Sequence, residues 1–232
     1  MTSPLPSYRG YRFPPEIISH AVRLYHRFDL SVRDIEDLLA ERGVTVTYEA
    51  IRQWCRTFGL NYARRLRRRR GRMGDTWYLN EVFIKIEGRP QYLWRAVDEN
   101  GDTSNIFLQS RRDRRAALRF FRKLSKEHGC VPRRLITDKL RSYPAACRTV
   151  MPSVVHCTDP YANNRANVSH QPTRQPERQM RRFKSAVHAQ RFLAVHGSVP
   201  NLFRVGRHPL RAVHHRRLRT QAFGVWREVA CV

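Results

Sequence analysis

The chain has 232 residues, 41% of them hydrophobic, enough for one sizeable domain plus a small module, and this argues against disorder throughout. Its 45 Lys and Arg against 19 Asp and Glu leave a formal charge of +26, carried mostly by Arg, whose forked guanidinium suits phosphate; a polyanion is the expected partner. No run of about 20 apolar residues and no cleavable signal pattern is present, which excludes a membrane span and favours nucleic acid in the cytoplasm.

The first helical pattern opens at Pro15 and shows Ile17, Ile18, Ala21, Val22, Tyr25 and Phe28 on one face. Ser31 with Asp34 three residues on resembles a capping box before a second helix through Ile35, Leu38 and Leu39, closed by Gly43. Thr47 caps a third, with Ala50, Ile51, Trp54 and Phe58 inward and Tyr48, Glu49, Arg52, Gln53 and Arg56 outward. Three short helices without strands predict a helix-turn-helix module over residues 1–62. Arg and Gln each make paired hydrogen bonds to base edges, so Tyr48, Arg52, Gln53 and Arg56 are the expected DNA-facing residues. A solvated helix face is the alternative.

A basic run follows, residues 63–74, with seven arginines between Arg64 and Arg72; it reads as a linker or helix extension lying along phosphates through Arg64, Arg65, Arg67 and Arg68. From residue 75 the pattern changes. "TWYLNEVFIKIEG" and "RPQYLWRAVDENGDTSNIFLQS" are rich in β-branched and aromatic residues and contain turn residues at 87–90 and 99–102, predicting three antiparallel strands. "DRRAALRFFRKLSKEHG" predicts a helix with Ala117, Phe120, Phe121 and Leu124 on one face, and "RRLITDKL" and "VVHCTD" predict two more strands. The order is α/β and matches a ribonuclease-H-like sheet in which the fourth strand lies parallel beside the first. After residue 160 only Glu177 and Glu228 are acidic; helix resumes at "SAVHAQRFLAVHGSVPNLFR", with Val187, Phe192, Leu193 and Val195 as its apolar positions. Five cysteines without a CxxC fit a reducing compartment, and Cys147, His156 and Cys157 lack a fourth partner at zinc-like spacing.

Asp138 closes the apolar strand Leu135, Ile136 at its C-terminal end, where ligands gather in open α/β sheets; a turn residue is the plain alternative. Two-metal phosphoryl transfer requires carboxylates converging from separate elements. In a ribonuclease-H-like sheet the three places are mid first strand, the end of the fourth strand and a following helix, which here hold Asn80, Asp138 and Asn167. Glu81 points to the opposite face from Asn80 and Asp98 lies on the adjacent strand, so neither is a clear substitute; Asp159 precedes the helix.

The stretches "WYLNEVFIKIEGRPQYLWRAVDENGD", "RRLITDKLRSYPAACRTVMPSVVH", "NNRANVSHQPTRQPERQMRRFKS" and "AQRFLAVHGSVPNLF" resemble transposases of the sixth insertion-sequence family, DDE-type enzymes of bacterial mobile elements. The resemblance implies a helix-turn-helix that binds terminal inverted repeats and a ribonuclease-H-like domain, residues 75–200, followed by a basic helical tail, residues 201–232. It implies magnesium, with manganese as substitute, cleavage that exposes a 3′-hydroxyl, attack of that hydroxyl on target DNA, and a homodimer joining two ends. The family's pattern has Asp in W-x-x-D-E, Asp in T-D-K and Glu in N-N-R-A-E; this chain has Asn80, Asp138 and Asn167. An amide oxygen supplies no charge, so metal affinity and turnover are expected to fall. Two such changes fit deliberate inactivation for a trapped complex, or a domesticated or decayed copy acting as a non-enzymatic DNA-binding protein. His170 would share the helix face of Asn167, and Lys139, Arg165, Arg174, Arg178, Arg181, Arg182 and Lys184 are expected to hold DNA backbone.

Overall fold

A computed structural model describes residues 5–71, 73–99, 101–138, 140–158, 183, 185–204 and 211–232. In chain order its elements are α1 (Pro15–Phe28), α2 (Val32–Ala40), α3 (Tyr48–Arg69), β1 (Thr76–Ile86), β2 (Arg89–Asp98), β3 (Thr103–Gln109), α4 (Arg114–His128), β4 (Arg134–Ile136), α5 (Ser142–Val150), β5 (Val155–Cys157), α6 (Ala186–His196), α7 (Val199–Phe203) and α8 (Ala212–Ala230). They form two units: residues up to Arg70 together with Ser198–Val232, and Gly71–Gly197.

In the helical unit the local signals act as the sequence predicts. Ser31 Oγ accepts from Asp34 N at 3.1 Å while Ser31 N donates to Asp34 Oδ2 at 2.9 Å, and Thr47 Oγ1 accepts from Ala50 N at 3.3 Å. Ile18, Ala21, Val22, Ile35, Ile51, Trp54 and Phe58 are buried, whereas Phe28, expected inward, is exposed at the end of α1. Of the two readings of the basic run, linker or helix extension, the structure has the helix extension as far as Arg69. With no proline to stop it and arginine a good helix former, α3 continues to Arg69 and buries Tyr62, Ala63 and Leu66 on its inner side.

What those residues pack on is the C-terminal segment, expected to be a tail from residue 201. Tyr62 meets Trp226 edge-on at 5.4 Å, and Arg65 Nη2 donates to Glu228 O at 3.1 Å. Arg69 pairs with the Glu228 carboxylate. Residues 198–232 thus belong to the N-terminal helices, because α8 carries an apolar set, Ala222, Trp226, Val229 and Ala230, that needs cover.

In the second unit β1 and β2 pair antiparallel from Trp77↔Asp98 to Ile86↔Arg89. Glu87 and Gly88 between them both take positive φ, 50° and 75°, as a two-residue type I′ hairpin turn demands. β4 lies parallel to β1, with Thr76 opposite Arg134 and Tyr78 opposite Ile136, giving the sheet order β3-β2-β1-β4-β5. One face packs Trp77, Leu79, Trp94 and Ala96 against Phe120, Phe121 and Leu124 of α4 and Tyr143 and Ala146 of α5. The other carries Tyr78, Val97 and Ile136. The β3 edge is closed by one amide of α6: Leu108 N donates to Gln190 Oε1 at 2.7 Å, and Gln190 Nε2 donates to Ile106 O at 3.0 Å. On α6, Phe192, Leu193 and Val195 are buried and Val187 is exposed, because the helix is only entering its first turn there.

Leu124→Ala is expected to cost about 2–5 kcal/mol and Ser31→Ala about 1 kcal/mol in urea unfolding, the first through a cavity against the sheet and the second through a lost cap.

Candidate active site and nucleic-acid interface

Asn80 lies in β1 opposite Arg95 of β2. Continuing the parallel β1–β4 register by two residues beyond Tyr78↔Ile136 brings Asn80 level with Asp138, just past the end of β4. Asn80 thus lies on the strand that neighbours β4, and Asp138 follows the end of β4. Alternation along β1 puts Asn80 on the Tyr78 face, away from Leu79 and α4.

The turn after β4 fixes Asp138. Its Oδ1 accepts from Leu140 N at 3.0 Å, and the buried Thr137 hydroxyl donates to Asp138 O at 2.9 Å. Thr137 Oγ1 is also hydrogen-bonded to His156 Nε2 at 2.8 Å, and burial holds the His156 imidazole below its ordinary pKa, favouring the neutral ring.

Glu81 departs from the sequence reading. Its backbone position does send it to the α4 face, yet the turn between β3 and α4 supplies Arg112, whose Nε donates to Glu81 Oε1 at 2.6 Å and whose Nη2 lies 3.5 Å from Asp138 Oδ2. One guanidinium thus bridges the two carboxylates. The Glu81 side chain is only 5% exposed, and its Oε2 has no hydrogen-bond partner among the described residues. Burial raises the Glu81 pKa, Arg112 opposes that rise, and the charge of Asp138 adds to it. Beside them the Tyr143 hydroxyl is buried without a hydrogen-bond partner among the described residues, its pKa driven upward by burial and then by the charges of Glu81 and Asp138. Sequence reasoning passed over Arg112 and Tyr143; the available signal was Arg112–Asp113 at a helix start directly after a strand.

These residues do not fit a two-ion centre. Asp138 has one oxygen engaged by a backbone amide and the other facing a guanidinium, and Asn80 offers only a neutral amide oxygen. Among the described residues no three His, Cys, Asp or Glu side chains converge. Asn167, His170 and Asp159 lie outside the described residues, as do Lys139, Arg165, Arg174, Arg178, Arg181, Arg182 and Lys184. Asp98 Oδ1 accepts from Asp102 N at 2.9 Å in the β2–β3 turn.

On α3 the outward set is Tyr48, Glu49, Arg52, Gln53 and Arg56, all exposed. Arg52 is held by Glu49 through Nε at 2.8 Å and Nη2 at 2.6 Å, a solvent-exposed pair that a base or phosphate displaces at little cost. Tyr48 lies under the Arg33 guanidinium at 5.4 Å. The basic run divides: Arg64 and Arg68 are exposed, whereas Arg65 binds Glu228 O and Arg67 Nε donates to Ala63 O at 3.3 Å.

A mixed five-stranded sheet of order β3-β2-β1-β4-β5, with β4 parallel to β1 and a helical module before it, is a ribonuclease-H-like fold. Residues 74–206 match the DDE domain of IS240-type transposases. A transposase for insertion sequence-like element IS431mec of Staphylococcus aureus strain Mu50 is 33% identical over 168 residues, covering 70% of this chain and 75% of the relative. The transposase of insertion sequence element IS257 in transposon Tn4003, also of Staphylococcus aureus, is 32% identical over the same span. The HTLV-2 integrase catalytic core domain in complex with magnesium, in its trimeric form, aligns with a TM-score of 0.40 at 13% identity, covering 60% of this chain and 93% of that one. The chain belongs to the DDE-domain transposases, a family of DNA phosphoryl-transfer enzymes. No described helix is long and apolar enough to cross a membrane.

The Glu81–Arg112 pair has a pH signature. Removing the guanidinium leaves a buried carboxylate uncompensated, so the folded chain holds the Glu81 proton more tightly than the unfolded chain does, and stability falls as pH rises through that window. Arg112→Gln is expected to cost about 1–3 kcal/mol near neutral pH, with the loss shrinking towards about pH 4 and Glu81→Gln in the same chain restoring most of it. Denaturation midpoints across that range measure this; a loss independent of pH rules out Glu81 as the charged partner.

Proposed function

We propose that this chain is a transposase that binds element-end duplex DNA and whose cleavage and strand-transfer activities are impaired at Asn80 and Asn167. The observation supporting the reading is the parallel pairing of β1, which carries Asn80, with β4, which ends just before Asp138, in a chain that matches a DDE domain. In the family's pattern the positions of Asn80 and Asn167 hold acids, and an amide in place of each removes the charge that balances divalent cations. Magnesium, or manganese in its stead, is accordingly expected to bind weakly.

In this reading Arg52, Gln53 and Arg56 read base edges from α3, Tyr48 packs at the groove wall, and Arg64 and Arg68 meet phosphates. Arg65 and Arg67 serve mainly the helical unit, given their internal hydrogen bonds. Lys139, Arg165, Arg174, Arg178, Arg181, Arg182 and Lys184 hold backbone near the reacting strand. Two ends must be joined, so the working form is a homodimer acting in the bacterial cytoplasm. A second reading, a transposase-derived DNA-binding protein without chemistry, is favoured by the bridging of Asp138 and Glu81 by Arg112.

Strand transfer from element-end DNA with magnesium or manganese separates the two. The chain as it stands is expected to be nearly inactive, and Asn80→Asp with Asn167→Glu to restore joining and saturable manganese binding; a restored chain that binds ends yet joins nothing overturns the assignment. Gln53→Ala is expected to cost about 1–3 kcal/mol of preference for element ends over unrelated duplex, whereas Arg68→Gln weakens both alike and reduces the salt slope by about 1. Fluorescence anisotropy on the two duplexes measures both.

A further inference from the structure

The second unit carries a strongly basic surface that the proposed end-binding module does not use. Arg111, Arg115, Arg119 and Arg122 line a cleft of about 430 Å³ along the start of α4, with Leu118 in its wall. All four arginines are exposed, and none has a hydrogen bond, ion pair or ring contact among the described residues. The acid in the cleft, Asp113, is already engaged: its Oδ1 caps α4 by accepting from Ala116 N at 2.8 Å.

Elsewhere on α4 the chain neutralises its cations. Lys123 lies 3.9 Å from Glu127 one turn on and 4.5 Å from the centre of the Phe107 ring. The arginine row has no such answer among the described residues, and like charges one turn apart on a helix repel. An anion is the missing partner.

The spacing identifies which anion. Arg115, Arg119 and Arg122 repeat at helical intervals, and at about 1.5 Å rise per residue they span roughly 10 Å of axis. Duplex DNA presents one phosphate per about 3.4 Å of axis on each strand, so this length faces about three phosphates. Only Leu118 supplies apolar wall, too little for a lipid surface or an amphipathic helix. Arg112, between two cleft residues in sequence, turns instead to Glu81 and Asp138, so the row starts next to the candidate active site.

We infer that the arginine face of α4 is a second, sequence-blind binding track for the backbone of duplex DNA, separate from the base-reading face of α3 and leading past Asp138. This rests on the chain being a DNA-binding transposase. The test is the salt dependence of binding by the full chain to a duplex of unrelated sequence, measured by anisotropy. Arg115→Gln, Arg119→Gln and Arg122→Gln together are compared with Lys85→Gln, Arg89→Gln and Arg148→Gln, which remove equal charge from other exposed positions of the same unit.

The α4 triple is expected to flatten the slope of log K against log salt by about 2–3, near 0.9 per phosphate contact, while the control triple leaves it unchanged within about half a contact. Element-end preference stays with Gln53 in both, and the melting temperature without DNA is not lowered by the α4 triple. Equal flattening by both triples means only net charge is felt and overturns the track. So does an α4 triple that matches the unmodified chain. A groove-dependent slope seen with single strands and not with duplex overturns the duplex assignment. If the unmodified chain binds no duplex, the transposase reading falls along with the track; if it binds ends selectively and only the slope comparison fails, that reading stands alone.

Discussion

The parallel pairing of β4 with β1 is the constraint on which the second unit depends. Only three residue pairs make it, Thr76↔Arg134 to Tyr78↔Ile136. A slip of one residue would turn Leu135 off the α4–α5 core and Ile136 onto it, and would shift Asp138, two residues further on, with them. The side chains that forbid the slip are Trp77, Leu79 and Leu135, none of them exposed, against Phe121 and Tyr143. Hydrophobic packing on one face thereby sets the position of polar groups on the other.

The same strand explains why Glu81 is where it is. Next to Asn80 in an extended chain, it must enter the side of the sheet that holds the core, and a carboxylate there needs a cation. Arg112 is supplied by the turn that starts α4, so α4 serves two ends: Phe120, Phe121 and Leu124 seal the core, and the residue before its cap neutralises Glu81. The guanidinium also reaches Asp138, coupling the candidate catalytic carboxylate to a buried structural pair. Any cation approaching Asp138 meets a positive charge already there.

Much of this was legible in the sequence. Capping residues Ser31 and Thr47, the outward set on α3 and the strand and helix order follow from periodicity and turn chemistry, which are local, while the place of the fourth strand beside the first follows from matching that order to a ribonuclease-H-like topology. The basic run left linker and helix extension both open, and the docking of α8 was not legible, because a run of arginines reads as solvated whether or not its inner side meets Trp226 and Glu228. Arg112 was missed for a related reason. Its neighbours Arg111, Arg114 and Arg115 are chemically identical in sequence, and only the three-dimensional turn selects which one faces Glu81.

That selection shows how a formal charge of +26 is to be read. Arginines do several kinds of work in this chain, and burial and partners sort them. Arg27 donates to Phe203 O at 3.1 Å, Arg65 to Glu228 O, and Arg112 to Glu81, each holding backbone ends or a buried acid within its own unit. These are spent inside the fold and lend little to phosphate binding. On the outer side of α4, by contrast, Arg115, Arg119 and Arg122 are exposed and without partners among the described residues. A surface that only needed solubility would intersperse the two signs and so avoid repulsion between neighbours one turn apart. Concentration of unpaired guanidinium groups costs stability in the free chain, and the cost is recovered only when a polyanion lies along them.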